Sequence, residues 1–281
     1  MNKTEFLLLT KLSQKFKYKE MLQLTVHLAD MPEVNLTTLR ANVSDTDLLY
    51  QLEKIIFDTE LLENSRRVRK NCGVISFFDA LYPQKLREIY RPPLLLFYQG
   101  EVELLNSECV AIVGARRNTG YSRQIMQELV PAFVQQNKTI VSGLAEGVDC
   151  LAHEYTLKAH GSTIAIIGSG VNHYYPEKNH ELQQRIAKEG LLLSEYLPDT
   201  PPARFRFPER NRLIAGLATD VIVTEARLKS GSLITANVAL QENRNVYAVP
   251  GPITSPLSAG TNELIAAGAT PITDFSLDNF A

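Results

Sequence analysis

The stretch Val110-Ala111-Ile112-Val113-Gly114-Ala115-Arg116-Arg117 decides the fold, and Ile140-Val141-Ser142-Gly143-Leu144-Ala145-Glu146-Gly147-Val148-Asp149 follows the same logic. Each opens on a short apolar run, rich in β-branched residues and without polar alternation, as a strand buried on both faces requires. Glycine follows at once, then a segment of helical period, so each is a strand–loop–helix unit. In an open parallel sheet, ligands gather beyond the carboxyl ends of the strands. Backbone N–H groups at glycine loops and helix N-termini also draw phosphate to that edge. Arg116 and Arg117 stand where a dinucleotide binder keeps small residues. Two guanidiniums there point to an anionic ligand, a polymer included.

Working outward, strands are expected at Leu94–Tyr98, Val110–Val113, Thr139–Ser142, Thr163–Ile167, Leu191–Ser194, Val221–Thr224 and Val246–Val249. Helical period covers Ser122–Gln136, Val148–His160, His180–Lys188 and about Ser232–Glu242 between them. This alternation predicts an α/β fold, an extended mostly parallel sheet with helices on both faces. Residues 1–72 differ: they hold no glycine, and apolar residues recur at helical spacing in Phe6/Leu9/Leu12, Met21/Leu24/Leu28 and Leu48/Leu52/Ile55. A small all-helical domain over 1–72 and a sheet domain over 73–281 are therefore expected. Ser44 with Asp47 resembles a capping box before the third series. Arg66-Arg67-Val68-Arg69-Lys70 closes the helical module, either as a helix end favoured by the macrodipole or as a nucleic-acid contact.

With 281 residues, 44% hydrophobic and 21% charged, the chain has the composition of an ordinary soluble globular protein, and its net charge of −2 means that nucleic-acid affinity has to come from a local basic surface. Cys72, Cys109 and Cys150 form no CxxC pair, so neither a disulfide framework nor a zinc site is indicated. The apolar N-terminal run is short and broken by lysines, unlike a leader or a membrane span, which makes a cytoplasmic protein with no membrane contact the expectation.

The strand-end loops carry the functional signal. G-x-G-x-x-G is absent after the first strand of the alternating region and the P-loop is absent throughout, so no nucleotide cofactor is expected. Arg204-Phe205-Arg206-Phe207-Pro208-Glu209-Arg210-Asn211-Arg212 is the strongest cationic cluster, interleaved with aromatics as in proteins that hold single strands. Its phenylalanines Phe205 and Phe207 read rather as core anchors, while Arg210 and Arg212 read as ligand contacts. Tyr174-Tyr175-Pro176 offers a ring for stacking and Lys178 a phosphate contact, against plain packing and a surface lysine. Lys229-Ser230-Gly231-Ser232 opens a helix, as a cap or as an anion seat. Asp149 and His153 share one helix face, but no third group has matching spacing, so a buried histidine is preferred to a catalytic or metal pair. Ser169 and Ser194 lack a nucleophile elbow.

In order along the chain, these motifs resemble the DprA/Smf family of bacterial DNA-processing proteins. The resemblance runs through Leu81-Tyr82-Pro83, Pro93–Gly100, Val110–Arg117, Ser142–Asp149 with His153, and Thr163–Gly170. It continues through Tyr175-Pro176, Phe207–Gly216, Glu225-Ala226, Ser230–Thr235 and Pro250-Gly251. It implies an extended Rossmann-like domain that binds single-stranded DNA without chemistry, protects it and loads the RecA recombinase during natural transformation. It further implies displacement of single-strand-binding protein, a homodimer through the Rossmann-like domain and a sterile-alpha-motif-like N-terminal module. The family's DNA pocket maps to Gly114, Ala115 and Arg116, and its Arg-Asn-Arg segment to Arg210, Asn211 and Arg212. The expected contact set is Gly114, Ala115, Arg116, Arg117, Gly143, Gly147, Lys178, Arg206, Arg210, Asn211, Arg212, Lys229, Ser230 and Ser232, with no catalytic or metal-binding residue. Two departures stand out: no winged-helix module is expected before Ala281, and Glu177 stands where some members place a lysine.

The competing expectation is a nucleotide phosphoribohydrolase of the lysine-decarboxylase-like group on a similar sheet. Its Pro-Gly-Gly-x-Gly-Thr signature is missing, Pro250-Gly251-Pro252 being the nearest stretch. A purely structural partner-binding protein would leave the aligned arginines and glycines without a purpose.

Overall fold

The structure is a computed structural model that describes residues 1–277 and 280. Its contacts divide the chain into two compact units, residues 1–82 with 93–97, and residues 83–92 with those from 98 on.

The first unit is built on five helices, α1 (Lys3–Leu12), α2 (Tyr18–Ala29), α3 (Leu36–Asn42), α4 (Thr46–Phe57) and α5 (Thr59–Asn71). Phe6, Leu7, Leu8 and Leu9 follow one another and are all fully buried, so α1 is enclosed on every side and forms the axis of the unit. Its Thr4 hydroxyl meets Ser76 Oγ at 2.8 Å and donates to Asp79 Oδ2 at 2.7 Å, which fastens α1 to strand β1 (Gly73–Ser76). The expected capping box at Ser44 does not form. Asp45 is the N-cap of α4, and its carboxylate accepts from the Asp47 and Leu48 N–H groups at 3.0 Å each. An ionised acceptor reaching two orphan donors outcompetes the neighbouring hydroxyl.

The short helix α6 (Gln84–Arg87) belongs to the second unit, and strand β2 (Leu95–Gly100) carries the chain from the first unit into the second. From there strand and helix alternate: β3 (Cys109–Val113), α7 (Gly120–Gln135), β4 (Thr139–Ser142), α8 (Val148–Lys158), β5 (Thr163–Ile166), α9 (His180–Glu189) and β6 (Leu191–Ser194). They continue as α10 (Arg206–Leu217), β7 (Asp220–Val223), α11 (Gly231–Gln241), β8 (Asn245–Ala248), α12 (Ala259–Ala266) and β9 (Thr270–Pro271). These strands lie in the order β6-β5-β4-β3-β7-β8-β9 and pair in parallel throughout, with Val110 opposite Ile140 on one side and Ile112 opposite Ile222 on the other. Every residue of β3 to β7 is buried, as their unbroken apolar runs require. Val110, Ile112, Met126, Leu129, Phe133, Ile140, Val148 and Ile222 form the core on one face.

The sequence reading assigns no helix to 206–217, yet α10 forms there. Pro208 falls in its first turn, where a missing N–H costs nothing, and Leu213, Ile214 and Leu217 bury the far end. Strand order reverses at β3, because β4, β5 and β6 extend one way and β7 returns to its other side. Such a reversal leaves a crevice above the carboxyl ends of the two central strands. The three cysteines are buried and free, and no cluster of metal-ligating side chains occurs among the described residues. Among them, no helix is long and apolar enough to cross a membrane.

Candidate nucleic-acid interface

The crevice is a cleft of about 390 Å³. Gly114, Ala115 and Arg116 line it from the loop after β3, Asn211 and Ile214 from α10, and Ser230, Gly231 and Ser232 from the start of α11. A second cleft of about 230 Å³ holds Arg116, Arg117, Gly143, Gly168, Tyr175 and Phe207. Arg116, Ala145, Phe207 and Arg210 line both, so the two make one trough along the carboxyl edge of the sheet.

The loop that presents Arg116 is locked by its neighbours. Gly147 takes φ +82° with the Ala115 and Arg116 carbonyls against its α-carbon, so a side chain there would meet both strain and backbone. The Val148 N–H donates to the Ala115 carbonyl at 3.2 Å. Beyond the loop, the buried Glu225 carboxylate accepts from Thr119 N–H and Oγ1 at 2.8 Å each and from Ser122 Oγ at 2.5 Å, which anchors the start of α7 to the end of β7. Arg116 and Arg117 are exposed, and neither guanidinium has an ion-pair or hydrogen-bond partner among the described residues. Fixed backbone with uncommitted positive charge is what a preorganised anion site requires.

Arg210 departs from the sequence expectation. It is 3% exposed, and its Nη1 donates to the Gly143 carbonyl at 2.5 Å and to the Ile166 carbonyl, tying together the ends of β4 and β5. Asp149 lies buried nearby, its Oδ2 accepting from the Gly143 N–H at 3.1 Å and the Ala145 N–H at 3.4 Å. Burial pushes the Asp149 carboxyl up to about 6, against the pull of Arg210 and of those two N–H groups. Burial likewise lowers Arg210 to about 10, which leaves it charged at neutral pH. The pair therefore shapes the Gly143–Ala145 turn from beneath.

His153 is fully buried, 2.7 Å from Thr163 Oγ1 through Nδ1. Thr163 spends its own proton on the Ile140 carbonyl at 2.8 Å, so Nδ1 is the donor and Nε2 is left as a buried acceptor without a partner. Burial and the Arg210 charge hold this imidazole down at about 3, so it is a neutral packing group.

The remaining expected contacts separate. Asn211, Ser230 and Ser232 line the trough with Gly114, Ala115 and Arg116, and Gly143 and Arg117 line its second cleft. Ser230 stands at the N-cap of α11 without a side-chain cap bond, which leaves the first-turn N–H groups uncapped by it. Arg212 is paired with Glu195, both largely buried, and Lys178 with Glu146 at 2.9 Å on the surface. Arg206 donates to the Pro201 carbonyl and lies over the Tyr196 ring at 5.2 Å, outside both clefts. Lys229 borders a different groove, with Leu228 and Ile234. Gly147 supports the loop rather than lining the trough. One pair the sequence shows only as separate residues is Tyr175 with Phe207, stacked at 5.3 Å and 29° on the wall of the second cleft. Phe207 is thus neither deep core nor free, and it forms an aromatic wall.

Residues 73–277 match the family model described as DNA recombination-mediator protein A. The chain belongs to this family. It is 45% identical to the DNA processing protein DprA of Streptococcus pneumoniae over 198 residues, 70% of each chain. To the DNA processing protein DprA of Bacillus subtilis it is 44% identical over 204 residues, 72% of this chain and 69% of that one. The X-ray structure of the S. pneumoniae protein superposes with a TM-score of 0.84 at 35% identity, covering 98% of this chain and 96% of that one. A Helicobacter pylori DNA processing protein A, solved to describe its single-stranded DNA binding mode, gives 0.66 at 35% identity over 72% of this chain and 92% of that one.

Proposed function

We propose that the trough binds single-stranded DNA without sequence preference and leaves it chemically unchanged. The observation that carries this is the unpaired Arg116–Arg117 pair on a locked loop, beside the stacked Tyr175–Phe207 wall and the uncapped start of α11. Phosphates take the guanidiniums and the backbone N–H groups, while base faces take the rings. Gly114, Ala115, Arg116, Arg117, Asn211, Ser230 and Ser232 are assigned to direct contact, and Gly143, Gly147 and Arg210 to holding the loops. The nearest ionisable pair, Asp149 and His153, is buried in hydrogen bonds to its own scaffold, which favours holding a strand over reacting with it. Membership of a recombination-mediator family and likeness to a relative studied with single-stranded DNA support the wider role: protecting incoming strands and loading the RecA recombinase in natural transformation. A homodimer through the sheet domain, action against single-strand-binding protein, a sheet domain from residue 73 and an accessory helical module over 1–72 complete the proposal.

Anisotropy titration of labelled oligo-dT tests the reading. Affinity should fall steeply with salt, and Arg116→Ala with Arg117→Ala should weaken binding to all sequences alike and flatten the salt slope by about 1.4, two contacts at about 0.7 each on a single strand. Unchanged affinity in that variant would refute it. Free base released from nucleoside monophosphates would instead favour the phosphoribohydrolase reading.

A further inference from the structure

We propose that α5 carries a second contact for the nucleic-acid phosphodiester backbone, separate from the trough. The inference rests on the reading above only for the chemistry of its ligand.

Arg66, Arg67, Arg69 and Lys70 are all exposed. At 100° per residue they fall within one arc of about 160°, opposite the buried Ser65 and the half-buried Leu61 and Val68. Only Arg67 has an ion pair among the described residues, a loose one with Glu63 at 3.7 Å. No acidic residue occurs between Glu63 and Asp79. The macrodipole accounts for Arg69 and Lys70, which lie in the last turn, but its effect fades within that turn and does not reach Arg66 or Arg67. Three like-charged neighbours result, Arg66 with Arg69, Arg66 with Lys70 and Arg67 with Lys70, at the spacings where like charges destabilise a helix. Folding gains nothing from that crowding, whereas a polyanion relieves it by trading condensed counterions for guanidiniums. On this arc α5 carries a single large apolar side chain, the half-buried Leu62, and no aromatic ring, so the exposed surface suits a phosphate backbone better than bases or the interior of a membrane.

The test uses the full chain with Arg66, Arg67, Arg69 and Lys70 replaced by glutamine, titrated against an oligo-dT 8-mer, an oligo-dT 60-mer and a 60-base-pair duplex. The expected result is a loss of about tenfold or more on the 60-mer and a salt slope shallower by about 2.8, four contacts at about 0.7 each, with 8-mer affinity and melting temperature unchanged. Equal loss on the duplex assigns the face to either backbone, and loss on the 60-mer alone assigns it to single strands. Arg66→Lys, Arg67→Lys and Arg69→Lys together should restore wild-type binding. Should the glutamine variant melt early, Arg66→Gln and Lys70→Gln singly give the same comparison. Unchanged 60-mer affinity and slope would overturn the proposal, as would loss of sedimentation with phosphatidylserine vesicles while DNA binding persists. Failure of the trough reading looks different: the wild-type chain would not bind the 8-mer at all.

Discussion

Replacing Arg210 by alanine separates a guanidinium that holds the fold from those proposed to face the DNA. Its Nη1 serves the carbonyls of Gly143 and Ile166, and its charge is the main one opposing the burial of Asp149. Hydrogen bonds from a charged donor contribute about 1.5–3 kcal/mol each, and leaving a buried carbonyl without its donor costs about 1–3 kcal/mol. These overlap rather than add, so over the two bonds a loss of about 3–5 kcal/mol is expected. At roughly 2–4 °C per kcal/mol for a chain of this size class, the melting temperature should fall by about 6–20 °C. Arg116→Ala removes an exposed side chain that makes no hydrogen bond or ion pair among the described residues and should stay within about 0.5 kcal/mol of wild type. Thermal unfolding followed by circular dichroism, with anisotropy titrations well below the lowered transition, reads both quantities. The reasoning is refuted if Arg210→Ala melts with the wild type while losing DNA affinity as Arg116→Ala does, because Arg210 would then be a ligand contact.

Three further outcomes follow from the same geometry. Gly143→Ala would place a methyl 2.5 Å from Arg210 Nη1, so it should cost about 1–3 kcal/mol by chemical denaturation and raise hydrogen exchange at Ala145. On acidification from pH 7 to 5, His153 should cost about 2 kcal/mol, since the unfolded imidazole takes a proton near 6.5 that the folded one refuses until about 3. Asp149 works in the opposite sense and should return about 1 kcal/mol, because its folded carboxyl takes a proton near 6 and the unfolded one near 3.8; Asp149→Asn should therefore lose stability with acid more steeply than wild type, and parallel curves would contradict the assignment. Phe207→Ala should weaken oligo-dT binding by about 1–3 kcal/mol while barely altering the salt slope, the reverse of the Arg116 signature.

The sheet was legible because Val110–Val113, Thr139–Ser142 and Leu191–Ser194 are short apolar runs without polar alternation, their polar residues Thr139, Ser142 and Ser194 falling only at strand ends. The place of the loop after β3 was legible for a related reason, since a glycine directly after a buried strand marks the turn at the carboxyl edge of the sheet, where Gly114, Ala115 and Arg116 line the cleft. The segment around Arg210 was not. Its cations read as one basic patch, but α10 turns Arg210 inward onto carbonyls of β4 and β5, gives Arg212 to Glu195 and leaves Arg206 over Tyr196. Helical phase and partners distant along the chain decide which arginine stays free, and local composition holds neither. The stacking of Tyr175 on Phe207 is hidden for the same reason, because the rings arrive from different crossovers.

The reversal of strand order at β3 has a consequence for a chain leaving the ribosome. The Gly114–Arg117 turn is synthesised early, but its facing wall at Ser230–Ser232 exists only once β7 has docked and α11 has formed behind it. On the proposed function, the complete trough is there to hold a strand only after translation has passed both halves. A strand bound there would lend its binding free energy to the latest-made elements as much as to the first.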